Sequence, residues 1–98
     1  AMVSAARSGR GASPKHRRFV VVFSGDALGD PTRPAAQANL SAKPGNAVKL
    51  HDAFDPWSKT HRVVFELDPA GETFSELRLE LKSGDEQVSE SWIYRWTL

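Results

Sequence analysis

Residues 75–83, with the sequence SELRLELKS, contain the most regular pattern in the chain. Leucines occupy every second position and charged side chains lie between them: Leu77, Leu79 and Leu81 against Arg78, Glu80 and Lys82. Successive side chains of a β-strand point to opposite faces, so this spacing predicts a strand with one apolar and one charged face. The residues after it, 83–86 (SGDE), have the composition of a hairpin turn.

Five further segments have the composition of strands, at residues 17–24, 35–42, 47–54, 60–67 and 87–97. Clusters of Gly, Pro, Asp and Ser separate them, and no window of helical length has apolar residues spaced by three and four. Six short strands with a turn signal about every 8–12 residues predict an all-β sandwich of six to seven strands, counting a short extra piece at Thr73-Phe74.

The strand at residues 17–24 is the most apolar of the six. Phe19, Val21 and Phe23 occupy one face, and Val20 and Val22 occupy the other. Such a mixture of β-branched and aromatic residues is typical of a β-strand.

Length and composition limit the classes of protein to consider. The 98 residues suit one domain, and a 40% hydrophobic content is typical of a globular fold. The absence of cysteine excludes disulfides, thiolate zinc sites and cysteine nucleophiles. No apolar run approaches the ~20 residues of a membrane span.

The first fifteen residues differ from the rest of the chain. They are small, polar and punctuated by Gly and Pro, and they cannot bury enough surface to offset the entropy of ordering. We therefore expect residues 1–15 to be a flexible linker, with Ala1-Met2 as a cloning remnant, and residues 16–98 to be the sandwich domain. The composition suggests a domain cut from a longer protein with the linker at its front.

Five bases precede the first acid, Asp26, which raises the alternative of a nucleic-acid-binding arm. No aromatic residue occurs before Phe19, so the arm lacks residues on which bases stack. A solvated linker is the favoured interpretation, and we predict no nucleic-acid partner.

Candidate chemical groups are few. The three histidines, His16, His51 and His61, have no ligand-like spacing, and each is expected at the surface. Asp52 and Asp55 could suggest the paired carboxylates of a glycosidase, but acids near strand ends also form turns. We predict no catalytic residue, no metal ligand and no cofactor.

Aromatic side chains are the strongest candidates for contact with a ligand or partner. Trp92, Tyr94 and Trp96 share one face of the last strand. If exposed they would form a platform for sugar rings, and if buried they are sandwich core, which is the favoured interpretation. Trp57, in a Pro-containing loop, is the better candidate for an exposed ring.

Several phrases together resemble a known family. They are ARSG at 6–9, RRFVVVFSG at 17–25, NLSA at 39–42, Trp57, HRVVFEL at 61–67, ELRL at 76–79 and SESWIYRW at 89–96. Their order and spacing resemble the C-terminal domain of the periplasmic osmoregulated-glucan biosynthesis proteins of the G and D type (MdoG/OpgG-like). The resemblance covers nearly the whole chain.

The resemblance implies a fold, a compartment and a partner. Family members are exported to the periplasm and help to build or trim glucose polymers with a β-1,2-linked backbone. A large N-terminal domain carries their carbohydrate cleft and candidate catalytic carboxylates, and a smaller immunoglobulin-like β-sandwich follows. Our chain resembles only the smaller domain, so the resemblance carries over no catalytic residue.

Two roles follow from the resemblance. The first is a non-catalytic accessory domain that docks on the N-terminal glucan-processing domain of the same protein or on another partner. The alternative is a self-sufficient carbohydrate-binding module that binds β-glucan through exposed aromatic rings. Trp57, Trp92, Tyr94 and Trp96 are the candidate contacts for glucan or partner, and their exposure discriminates between the two roles.

Overall fold

The computed structural model describes residues 1–98 and contains eight β-strands and no helix. The strands are β1 (Met2–Arg10), β2 (Arg17–Ser24), β3 (Gln37–Lys43), β4 (Asn46–Asp55), β5 (Thr60–Asp68), β6 (Phe74–Ser83), β7 (Glu86–Gln87) and β8 (Trp92–Thr97). They form two antiparallel sheets, which confirms the predicted all-β sandwich. The chain has no helix that is long and apolar enough to cross a membrane.

The strand order is that of an immunoglobulin constant-type domain. The first sheet has the order β1-β2-β5-β4, and in the second sheet β6 lies between β3 and the β7–β8 segment. This matches the ABED and CFG sheets of that fold, with β7 as a two-residue addition. No disulfide joins the sheets, so packing alone holds them together.

The core lies between the two sheets and comes from every second residue of the inner strands. Phe19 of β2 lies opposite Phe65 of β5, and the two rings stack with centroids 5.2 Å apart. From the second sheet, β6 contributes the three alternating leucines, each at most 1% exposed. The alternation of apolar and charged side chains in residues 75–83 therefore places the leucines in the core, as predicted.

The first strand differs from the flexible linker expected at residues 1–15. Met2–Arg10 pairs with β2 from end to end, with one register shift between Val3 and Ala5, so the sandwich begins at residue 2 rather than at residue 16. Its side chains are mostly exposed, as their polarity predicts. An edge strand forms through backbone hydrogen bonds to its neighbour and does not require an apolar face of its own. Composition alone therefore underestimated the order of this segment.

The last strand differs from the single strand expected at residues 87–97. It divides into β7 and β8 because the backbone leaves β6 after Val88, whose N–H still donates to the Leu81 carbonyl at 2.9 Å. There the Ser89 hydroxyl accepts the backbone N–H of Leu81 at 2.8 Å, in place of a backbone carbonyl. The backbone N–H of Glu90 instead donates to the Ala1 carbonyl at 2.8 Å, so the segment links both sheets.

Truncation of Leu79 tests the assignment of the core. Leu79 is fully buried on β6, so Leu79→Ala should reduce the free energy of unfolding by about 2–5 kcal/mol. Val48→Ala, at an exposed position of β4, is the matched control and should cost less than about 0.5 kcal/mol. Urea denaturation measures both. Equal small effects would contradict the register of β6.

Removal of residues 1–10 tests the contribution of β1. The deletion leaves the backbone edge of β2 unpaired and removes Val3, which packs against the core. We expect the thermal midpoint to fall by at least about 5 °C, which corresponds to roughly 1 kcal/mol in a domain of this size. Arg7→Ala, which keeps the strand backbone, should leave the midpoint nearly unchanged. An unchanged midpoint after the deletion would show that the pairing adds nothing to stability.

Candidate functional site

The three aromatic residues of β8 face the interior of the sandwich. Trp96 is 9% exposed and belongs to the core, and Trp92 is half-buried against it. Tyr94 stacks on Trp92 with ring centroids 5.7 Å apart, and both rings meet Phe19 edge-on. The row is therefore engaged in packing between the sheets, as favoured from the sequence, and only Tyr94 keeps a large exposed fraction, 44%.

Trp57 lies in the turn between β4 and β5 and is 95% exposed. Asp55 fixes the turn, because its carboxylate accepts the backbone N–H of Trp57 at 3.0 Å and the Ser58 hydroxyl at 2.9 Å. This turn adjoins the Ser24 end of β2, about 17 Å along the strand from Phe19. Trp57 therefore lies apart from the β8 aromatics and cannot form one continuous platform with them.

A groove of about 460 Å³ lies at one end of the sandwich, between the loop after β2 and the outer end of β4. Leu28, Phe54 and Val88 provide part of its apolar lining, and Asp52 and His61 lie at its inner side. The Asp52 carboxylate contacts His61 Nε2 at 2.5 Å. This arrangement is the only pairing of a carboxylate with a buried histidine in the domain.

The position of His61 corrects the expectation that all three histidines lie at the surface. Its side chain is 1% exposed, whereas His51 is exposed and His16 is half-buried. His61 precedes Val63, Phe65 and Leu67 in steps of two, so the period of the strand placed it on the inward face. That signal was present in the sequence.

Hydrogen bonds keep Asp52 ionised despite its partial burial. Burial by itself raises the pKa of Asp52, but the bonds from His61, the backbone N–H of Ala38 and the Lys49 ammonium outweigh it, and the net pKa lies below the ordinary value. The carboxylate therefore serves as an acceptor that holds β3, β4 and β5 together.

The two acids considered as a glycosidase pair have separate roles in the structure. Asp52 points into the sandwich, whereas Asp55 points into the turn that carries Trp57. The pKa of Asp55 is also lowered, first by the Trp57 N–H and then by the Ser58 hydroxyl. A glycosidase needs one carboxyl with a raised pKa as its acid, and neither of these two has one.

Other chemistry at this end of the domain is limited. His61 Nδ1 is buried and has no hydrogen-bond partner. No group of three or more His, Asp or Glu side chains comes together in a form that could hold a metal ion.

Asp52→Asn tests the role of this carboxylate. At about pH 7 the variant should lose about 1–3 kcal/mol of stability, because the amide replaces a charged acceptor of three hydrogen bonds. A lowered pKa means that the contribution is complete above the ordinary value of 3.8 and is lost as the pH falls through the folded pKa. The gap between parent and variant in urea denaturation should therefore close upon acidification. Asp85→Asn, at an exposed turn, is the control, and a gap independent of pH would refute the assignment.

Comparison with known proteins places the chain in a family. Residues 1–96 match the sequence model of the family described as "Periplasmic glucan biosynthesis protein, MdoG". Among its relatives, Glucans biosynthesis protein G of Rhodopseudomonas palustris (strain BisA53) is 35% identical over 92 residues, which are 94% of this chain and 18% of the relative. Glucans biosynthesis protein D 1 of Ralstonia nicotianae is 40% identical over 83 residues, which are 82% of this chain and 15% of the relative.

Glucans biosynthesis protein G of Vibrio cholerae is 34% identical over 99 residues, which are 98% of this chain and 18% of the relative. The chain therefore spans less than one fifth of the length of the curated relatives that it matches. Since the family match covers nearly the whole chain, the chain belongs to the periplasmic glucan biosynthesis (MdoG) family.

Proposed function

We propose that this chain is a non-catalytic accessory domain of a protein that synthesises or processes periplasmic β-1,2-linked glucans. In this role it docks on the larger, N-terminal glucan-processing part of the same polypeptide, and it resides in the periplasm. Family membership supports the link to glucans. The small share of each relative that the chain covers supports the role of one part among several.

The packing of the β8 aromatics against one another and against the core is the observation that carries the proposal. Sugar-binding surfaces present flat aromatic faces to solvent, where they can stack on pyranose rings. Here Trp96 lies in the core, while Trp92 and Tyr94 pack on each other and on Phe19. These rings stabilise the sandwich, so the best aromatic cluster of the chain is not free to bind sugar.

Trp57 favours the second candidate function, a self-sufficient carbohydrate-binding module. Its ring is almost fully exposed on a turn that Asp55 holds in place. One ring offers a single stacking contact, worth about 0.5–1.5 kcal/mol beyond its buried area in comparable aromatic pairs. A lone ring of this kind supports weak binding at most, because millimolar affinity already requires about 4 kcal/mol.

Titration with linear β-1,2-glucan discriminates between the two functions. The isotope-labelled domain is titrated to millimolar glucan, and the backbone amide signals, together with the indole N–H signals of Trp57, Trp92 and Trp96, are followed by NMR. We expect no saturable shift. Saturable shifts with sub-millimolar affinity that vanish in Trp57→Ala, but persist in the control Trp57→Phe, would overturn the proposal in favour of a binding module.

An assay for reducing sugar tests the non-catalytic part of the proposal. The purified chain should release none from the same glucan. Release that is abolished by Asp52→Asn or Asp55→Asn would overturn it, and Asp85→Asn controls for unspecific loss of activity.

A further inference from the structure

We infer that the domain docks through the outer face of its first sheet, and that this face covers an apolar surface with acidic groups on the larger part of the same polypeptide. The inference rests on the proposed function and names the surface that performs it. We call this surface the valine face, defined by Val20 and Val22 of β2 and Val64 of β5, with Arg7 and Arg62 beside them.

The amino-acid sequence of the two central strands is that of strands buried on both sides. Residues 19–23 of β2 read FVVVF, and residues 63–65 of β5 read VVF, without the polar alternation of a half-exposed strand. Continuous apolar runs of this kind are typical of sheets covered on both faces. In this domain the core covers only the inner face, so Val20, Val22 and Val64 on the outer face remain partly exposed, with Arg7 and Arg62 beside Val20 and Val22.

The register of the first sheet gathers these side chains into one patch. Val20 lies opposite Val64, and Val22 lies opposite Arg62 on the neighbouring strand. At the β4 edge, Val48 and Leu50 are 61% and 51% exposed. His51 lies opposite Val64 and Glu66 lies opposite Val48, so polar side chains separate the valine face from these two edge residues.

The second sheet provides an internal comparison, because most side chains on its outer face are polar and hydrogen-bond to one another, with Ile93, 66% exposed, as an apolar exception. Glu80 accepts hydrogen bonds from Arg78 and Asn39, each at 3.0 Å. At the same sheet, Arg95 donates to Glu76 at 2.8 Å. The centre of the second sheet's outer face is thus occupied by paired charges, whereas the centre of the first sheet's outer face is occupied by three valines.

Charge indicates what covers the valine face. Arg7 and Arg62 form no ion pair with any acid of the domain, and Arg18 is already paired with Glu66. The free charges at this face are therefore positive. A second copy related by two-fold symmetry would bring arginines together, which disfavours self-association, whereas acidic groups on a partner would complement them.

The size of the face also favours a tethered partner. Four strands spaced by about 4.8 Å and five residues of length give roughly 300 Å². That is about 600 Å² for two sides, half of what a stable interface between separate proteins needs but within the range of contacts between domains of one chain. Family relatives are more than five times as long as this chain and provide such a tethered surface.

Thiol labelling of the full-length protein tests the inference. Ala5→Cys and Ala53→Cys place thiols at exposed positions on the two sides of the valine face, opposite Val22 and Arg62. Ser41→Cys, exposed on the outer face of the second sheet, is the matched control. The domain has no other cysteine, and peptide mass mapping after reaction with a maleimide gives the rate at each position. We expect both alanine positions to react at least about tenfold more slowly than position 41, and all three to react alike after denaturation.

Three other results would each overturn the inference. If position 41 is protected and both alanine positions react fast, the domain docks through its second sheet, and the proposed function stands without the valine face. If all three react fast, the domain is undocked and the proposed function fails as well. Protection of the valine face that disappears on dilution of the protein would identify a second copy as the occupant.

Discussion

The contact between Phe19 and Phe65 organises the sandwich. Their rings stack across β2 and β5, the two central strands of the first sheet, and present their surface to the second sheet. Trp92 meets both rings edge-on, with centroids about 6 Å away, and Tyr94 meets Phe19 in the same manner. Edge-to-face contacts of this kind fix the relative position of two sheets more specifically than aliphatic packing does. With no disulfide to hold the sheets, their alignment depends on this cluster.

Glu66, which is 8% exposed, extends this order to the loop between β1 and β2. The Glu66 carboxylate accepts hydrogen bonds from the Arg18 guanidinium at 2.6 Å and from the backbone N–H of Ala12 at 3.0 Å. The second bond holds the β1–β2 connection against the sheet. A side chain at Gly11 would lie only 2.9 Å from the same carboxylate, so the approach requires glycine. The Arg-rich start of the chain is therefore ordered partly by an acid more than fifty residues away.

The sequence predicted the strands well wherever side-chain period determines them. β2 matches its predicted bounds, and β3 to β6 differ from theirs by one or two residues at one or both ends. The same period places His61 inside, because His61 continues the buried row Val63, Phe65 and Leu67, although histidine as a residue type is more usual at the surface. Period thus carried more information than the usual location of histidine.

The features that sequence did not predict are formed by the backbone or by distant partners. β1 has no apolar face of its own, and its order comes from the open edge of β2. The break between β7 and β8 depends on the Ser89 hydroxyl, which accepts the hydrogen bond from the backbone N–H of Leu81 that a strand carbonyl would otherwise accept. The contact between Asp52 and His61 requires the bulge at Lys49/His51, which shifts Asp52 onto the inner face, and strand propensity contains no signal for it. Trp57 was correctly expected to be exposed, since a turn with proline offers no cover.

The state of the carboxyl groups bears on whether this domain can perform glycan chemistry. General acid catalysis near neutral pH requires a carboxyl whose pKa is raised by an apolar site or by a second carboxylate. Every carboxyl with a resolved shift here has a lowered pKa: Asp30, Asp52, Asp55, Glu66 and Glu80. Even at Glu80, where burial pushes the pKa upward, hydrogen bonds from Arg78 and Asn39 reverse the shift. These acids accept bonds that hold strands, turns and loops in place, so protonating them would weaken the fold. These carboxylates are occupied by hydrogen bonds within the domain. This supports the proposed role of presenting a surface to a neighbouring domain over a role in bond cleavage.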